Sequence, residues 1–192
     1  MERVHEVLDF WLKDVGYDGW YKAVDSIDAE IRRRFLSLWE DLHAGRISEW
    51  CDSAQGALAF LIVADQFSRN MFRGDGRSFA TDDQARDVAR RAIARNMDMD
   101  MDIPEPQRVF FYMPFEHSED LGDQDWSVAL MDARLPETGT DFSVHTRAHR
   151  EIIRRFGRFP FRNTALGRVS SPEEETFMSQ GGYGSVVREL GG

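Results

Sequence analysis

Apolar residues recur every three or four positions along most of the chain, and this spacing constrains the fold more than any other feature. In one segment Ile31, Phe35, Leu38, Trp39 and Leu42 fall on a single helical face, and polar residues occupy the other faces. Strand signals are scarce, because no two alternating β-branched runs flank an Asn-Gly or Asp-Gly turn. The sequence therefore predicts an all-α fold of about seven to nine helices.

The segment 57–67 is apolar on nearly every face. A helix that is hydrophobic all round is buried, whereas an amphipathic helix lies at the surface. We therefore predict that this segment is central to the fold. We expect the helices around it to form antiparallel pairs stacked in a right-handed array.

The length of 192 residues suits one domain, or two helical lobes that share a core. We predict a single all-helical domain over residues 1–180. The last residues, 181–192, are rich in glycine and are predicted to form a flexible tail.

Charge and cysteine content exclude several classes of partner and site. The formal net charge of -10 repels a phosphate backbone, so we expect no nucleic-acid partner. The single cysteine, Cys51, excludes an internal disulfide framework and a multi-cysteine zinc site. The sequence shows no signal-peptide core and no apolar stretch of about 18 residues, so we predict a soluble cytoplasmic protein with no membrane partner.

The first polar motif, residues 65–70, follows directly on the apolar segment and is joined by Arg73. Asp65 near a helix C-terminus faces an unfavourable dipole unless a cation is close. Arg69, four residues later, is the candidate partner. Two interpretations remain open: a structural ion pair that closes a helix end, or a buried carboxylate in a ligand pocket.

The second polar motif is the run 116–120, Glu-His-Ser-Glu-Asp. Ser118 fits the N-cap of a helix, and Glu119 and Asp120 fit its first turn, so these three residues need no functional explanation. His117 lies just outside this helix. It is a candidate general base or ligand, because its pKa is ordinarily near neutral.

The third polar motif contains seven arginines between positions 147 and 168, in a chain of net charge -10. They could pair internally with the acids of 116–120 and 173–175, or they could form a pocket for a phosphate or carboxylate. His145 and His149 share a helical face, but such a pair is weak support for a metal site. We predict no metal and no cofactor.

These motifs, in this order, resemble a family of uncharacterised bacterial proteins known as domain of unknown function 924. The resemblance spans nearly the whole chain and is carried by the segments 7–11, 31–35, 59–74, 79–82, 111–121 and 149–168. Two positions depart from the family pattern: Ser68 stands where the family usually has proline, and Phe161 where it usually has histidine. The resemblance implies an all-α fold similar to tetratricopeptide-repeat (TPR) proteins, and it implies no established activity.

The polar residues that match the family pattern suggest a site for a small anionic molecule, and the sequence leaves open whether that site is enzymatic. The ligand-binding candidates are Arg69, Asn70, Arg73, Asp120, Arg150, Arg158, Arg162 and Asn163. His117 or His149 would transfer a proton in any reaction, and Asp65 or Glu119 would orient that imidazole. The alternative is a TPR-like helical-repeat module whose concave face binds a peptide or protein.

The polar motifs also predict contacts between distant parts of the sequence. An ionised carboxylate near the core is costly unless cations and hydrogen-bond donors reach it. We expect at least two of Asp65, Glu119 and Asp120 to contact arginines of the 147–168 segment, with His117 or His149 nearby. Replacement of Arg150 or Asp65 by alanine is then expected to lower the melting temperature clearly.

Overall fold

The structure is a computed structural model that describes residues 2–191, with the side chain of Asp141 excepted. All regular elements in this part of the chain are helical, as predicted. The α-helices are α1 (Glu2–Asp9), α2 (Asp25–His43), α3 (Ala54–Leu61), α4 (Ser68–Met71), α5 (Asp82–Ala94), α6 (Glu105–Glu116), α7 (Leu121–Arg134), α8 (Gly139–Phe156), α9 (Pro172–Ser179) and α10 (Gly182–Gly191). A π-helical stretch, Ile62–Phe67, joins α3 to α4, so residues 2–191 form nine separate α-helices.

The chain divides into two compact units, Met1–Pro114 and Phe115–Gly192, here called unit 1 and unit 2. The division falls near the end of α6. A single domain over residues 1–180 and a right-handed TPR-like stack both remain predictions. Within residues 2–191, no helix has both the length and the apolar character needed to cross a membrane.

In unit 1, the continuous helix from α3 to α4 is the most buried element. Ala57, Leu61 and Phe67 have essentially no solvent exposure, which confirms the central position predicted for this segment. Ser53 caps the start of α3 by accepting a hydrogen bond from the backbone N–H of Gly56 at 3.1 Å. The α3–α4 helix therefore places its last polar turn next to an apolar core.

In unit 2, α8, α9 and α10 pack around a small apolar core. Its members are Ala148, Ile152, Ile153, Phe159, Phe177 and Val186. The start of α9 is a capping box in which Ser171 and Glu174 bond each other's backbone N–H groups. Proline at position 172 adds to this start signal, because its missing N–H is not needed in the first turn.

The C-terminal segment differs from the predicted flexible tail. Gly182–Gly191 forms α10, which packs against α8, and Val186 is fully buried in the core of unit 2. Tyr183, Val186 and Val187 lie three and four residues apart, so they share one helical face. This apolar face outweighs the low helix propensity of the glycines. Gly192 lies outside the described residues.

Candidate functional site

The first polar motif forms an ion-pair network within unit 1. The carboxylate of Asp65 is buried and lies 3.0 Å from Nη1 of Arg69, which confirms the partner predicted from the helical spacing. The same guanidinium donates to both oxygens of Asp82 at 3.1 Å. Arg69 is therefore shared between two carboxylates, which favours the interpretation of this motif as a structural ion pair.

Asn70 and Arg73 both bind a carboxylate from α2. Asn70 donates to Oδ1 of Asp28 at 2.7 Å, and the guanidinium of Arg73 donates to both oxygens of the same group. Burial by itself raises the pKa of Asp28, but the hydrogen bonds from Arg73 and Asn70 outweigh it and hold that pKa below its ordinary value. Both candidates are thus hydrogen-bonded to an acid of unit 1.

In unit 2, Glu119 is bound by an arginine of the predicted segment. Arg168 donates to both oxygens of Glu119, at 2.7 and 2.9 Å, and the backbone N–H of Phe159 adds a third bond at 2.8 Å. Burial of Glu119 opposes ionisation, but these bonds outweigh it and lower the pKa of the carboxyl. The Arg168–Glu119 pair therefore connects the loop between α8 and α9 to the segment between α6 and α7.

A second carboxylate–arginine network in unit 2 lies at the start of α9. Arg158 donates to both oxygens of the buried Glu174 at 2.6 and 2.8 Å. Asn163 donates to Glu174 at 3.2 Å and accepts from Arg168 at 3.0 Å. Arg158 and Asn163, both proposed as ligand-binding residues, are therefore engaged by protein groups.

The remaining arginine-segment candidates lie in different environments. Arg150 pairs with Asp125, and both side chains are about half exposed, so this pair is at the surface. Arg162 is buried, with its guanidinium 4.3 Å from the centroid of the Phe159 ring. Asp120, rather than Ser118 as predicted, is the N-cap of α7 and accepts from the backbone N–H of Asp123 at 3.0 Å.

The contact prediction is confirmed for one of its three carboxylates, Glu119, which contacts Arg168 of the 147–168 segment. Among the described contacts, Asp120 caps a helix and Asp65 pairs with Arg69. Each unit contains its own network, and most of the named arginines are neutralised by acids of the same unit.

A different group of unit 2 brings imidazoles and a buried carboxylate together. Oε1 of Glu116, in the last turn of α6, lies 2.7 Å from Nδ1 of His149 on α8. The hydroxyl of Thr146 donates to Oε2 of Glu116 at 3.1 Å. Burial of Glu116 disfavours its charge, but His149, His117 and Thr146 outweigh that effect and hold the pKa of the carboxyl below its ordinary value.

Three further side chains complete this group. The ring of His117 lies 5.8 Å from that of His149, and the ring of Tyr183 lies 4.9 Å from His149 on another side. The Tyr183 hydroxyl is 2.6 Å from Nδ1 of His145. We call Glu116, His117, His145, His149 and Tyr183 the imidazole cluster. Burial raises the pKa of the Tyr183 phenol, and the nearby Glu116 charge adds to this effect.

The imidazole cluster contains both predicted histidines, but the carboxylate that orients His149 is Glu116, not Asp65 or Glu119. Glu116 belongs to the second polar motif but was not among the predicted site residues. In the structure α6 continues through Pro114 to Glu116. An acid in the last turn of a helix opposes the dipole and needs a donor nearby, and this signal could have identified it.

The cluster can act chemically in two ways. A carboxylate that fixes an imidazole is a common arrangement for hydrogen bonding to, or proton exchange with, a small molecule. The same donor atoms can hold a metal ion: one atom each from Glu116, His117 and His149 lies within 4.8 Å of the other two. The converging pair of histidines is thus 117 and 149, rather than the helical pair 145 and 149 considered from the sequence.

Comparison with known proteins agrees with the resemblance seen in the sequence. The sequence model of a family described as "Bacterial protein of unknown function (DUF924)" matches residues 7–182. The chain belongs to the DUF924 family. Among solved structures, a DUF924-like fold is seen in the protein of unknown function ATU0120 from Agrobacterium tumefaciens, with a TM-score of 0.87 and 36% identity, over 94% of this chain and 98% of that one. No curated protein matches the chain.

The two departures from the DUF924 motifs lie in different units. Ser68, in the usual proline position, is buried and donates its hydroxyl to the carbonyl of Ala64 at 2.8 Å. Phe161, in the usual histidine position, is partly exposed, with its ring 6.3 Å from that of Tyr183. In this DUF924 protein, position 161 therefore lies at the edge of the imidazole cluster, where a phenyl ring replaces a group that can hydrogen-bond.

Proposed function

We propose that the protein binds a small anionic molecule at the imidazole cluster of unit 2. The observation that carries this proposal is the contact between the buried Glu116 carboxylate and His149, whose side chain retains 13% exposure. A helix contact made only for packing would be served by apolar side chains, which avoid the cost of burying a charge. Here the imidazole connects a buried carboxylate to the solvent side of unit 2.

The pairing of the arginines makes the cluster the stronger candidate for the binding site. An anion that approached Arg158 or Arg168 would have to displace Glu174 or Glu119, each of which is held by two short hydrogen bonds from its arginine. His149 contacts the buried Glu116 and keeps part of its side chain exposed. The ligand is therefore expected to reach His117 and His149 first, with Tyr183 as a flanking ring.

A thermal-shift screen against small carboxylates and phosphates tests the proposal. We expect at least one compound to raise the melting temperature of the wild-type chain and of His5→Gln, which changes an exposed histidine in unit 1. The same compound is expected to give no shift with His149→Gln. No stabilising compound in the screen, or an undiminished shift in His149→Gln, would refute a ligand site at the cluster.

A further inference from the structure

We infer that Glu116, His117 and His149 together bind one divalent transition-metal ion. The inference rests on the proposed ligand site, and it identifies a metal ion as the group that would bind the anionic ligand there. Glu116 is the last residue of α6, His117 follows it directly, and His149 comes from the middle of α8. Their donor atoms lie within 4.8 Å of one another, so the three side chains converge.

The donor set selects the class of metal. Two imidazole nitrogens and one carboxylate oxygen suit zinc, cobalt or iron, whereas calcium and magnesium prefer sites made of oxygen. Bonds of about 2.0–2.2 Å in a tetrahedral site place neighbouring ligand atoms roughly 3.4 Å apart. The three ligand atoms now lie within 4.8 Å of one another, so side-chain movements of about 1 Å would bring each of them to bonding distance from a shared ion.

Neighbouring groups already orient two of the ligands. Thr146 holds Oε2 of Glu116, which leaves Oε1 directed at His149, 2.7 Å away. The carbonyl of His145 lies 3.0 Å from Nδ1 of His149 and restrains that ring. The hydrogen bond from Thr146 is of the kind that orients ligating side chains in metal centres. A nitrogen that binds an ion cannot donate a hydrogen bond, so metal binding through Nδ1 would replace both the Glu116–His149 contact and the contact with the His145 carbonyl.

A metal at this point would also provide the charge that an anionic ligand needs. The arginines of unit 2 are largely neutralised by acids. Three protein ligands leave at least one coordination position open, as in catalytic zinc sites. A carboxylate or phosphate could bind there directly. The competing explanation is that Glu116 and His149 form a helix-to-helix hydrogen bond and bind no ion.

Two titrations of the untagged, chelator-treated full chain separate these explanations. In one, Zn²⁺ alone is added and binding is followed by calorimetry; in the other, Co²⁺ alone is added and binding is followed by visible absorption. We expect one ion per chain. His117→Gln and His149→Gln should each weaken binding by about 100-fold or more, since each removes one of three ligands. Thr146→Val should weaken it about tenfold, as loss of a hydrogen bond that orients a metal ligand does. His5→Gln is the matched control and should bind like the wild type.

Absence of stoichiometric binding in the wild type, or wild-type affinity in both His117→Gln and His149→Gln, would overturn the inference. Melting curves of the metal-free variants establish that each is folded before titration. The thermal-shift screen, repeated with metal-free protein, separates this failure from that of the proposed function. A compound that requires His149 but no metal refutes the metal site alone, whereas metal binding without any stabilising compound refutes the ligand proposal alone.

Discussion

Glu174 is a buried carboxylate whose partners are all hydrogen-bond donors, and this makes it the sharpest stability test in unit 2. Oε1 accepts from Nε of Arg158 at 2.6 Å. Oε2 accepts from the same guanidinium at 2.8 Å, from Asn163 at 3.2 Å and from the backbone N–H of Ser171 at 2.7 Å. A glutamine has one acceptor and one donor group, so in Glu174→Gln the amide NH₂ must face donors in either orientation.

The size of the effect follows from the pKa of Glu174. Hydrogen bonds from Arg158 lower it from 4.5 to about 2 in spite of burial. A difference of this size corresponds to about 3 kcal/mol of stability at neutral pH. The side chain of Arg158 is about one third exposed, so solvent screening reduces the expected loss in Glu174→Gln to about 2 kcal/mol.

The pH dependence has a definite sign. A carboxyl whose pKa is lowered on folding stabilises the protein fully above its unfolded value of 4.5, and this stabilisation is lost as the pH falls towards about 2. The difference in unfolding free energy between wild type and Glu174→Gln should therefore be largest near pH 7. At about pH 3.5 it should be smaller by about 1 kcal/mol.

Urea unfolding followed by circular dichroism at both pH values measures these differences. Glu173→Gln is the matched control, because it removes the same charge from the adjacent, exposed residue of the same helical turn. We expect the control to change the unfolding free energy by less than about 0.5 kcal/mol. An equally small change in Glu174→Gln at neutral pH, or a difference that grows on acidification, would refute the reasoning.

Three further substitutions test the packing and the ion pairs. Val186→Ala should lower the unfolding free energy by about 2 kcal/mol in urea titrations, because it opens a cavity in the unit 2 core, whereas Val169→Ala at a highly exposed position should change it little. Asp65→Ala should lower it by about 2 kcal/mol, since Arg69 loses a buried partner but retains a second carboxylate. Arg150→Ala should cost less than about 1 kcal/mol, because its pair is exposed, and a larger loss on thermal melting would contradict that assignment.

The last of these expectations reverses the interpretation of Arg150 made from the sequence. An arginine-rich segment in an acidic chain predicted buried pairing, but sequence does not reveal which arginines face solvent. Arg158 is bound to a buried carboxylate, and Arg150 to an exposed one. Arg150 lies on α8, whereas Arg158 lies in the loop that follows it, and which acid each one contacts is a property of tertiary structure.

The sequence alone determined the features that depend on near neighbours in the chain. Helical spacing predicted the all-α fold and the buried segment 57–67, because a 3.6-residue period is set by local backbone geometry. The Asp65–Arg69 pair, predicted from its spacing, also spans only four residues. Interactions this short in sequence can be read without knowing how the helices pack.

Tertiary structure alone decided which distant groups meet. Glu116 and His149 are 33 positions apart, and only the tertiary structure of unit 2 brings their side chains to 2.7 Å. Likewise, α10 packs in unit 2 because Val186 belongs to the apolar core formed with α8 and α9, although the glycines of this segment predicted a loose tail. Helix packing depends on the shapes of complete surfaces, so a local pattern could mark Glu116 as an acid that needs a donor but could not specify that His149 is its partner.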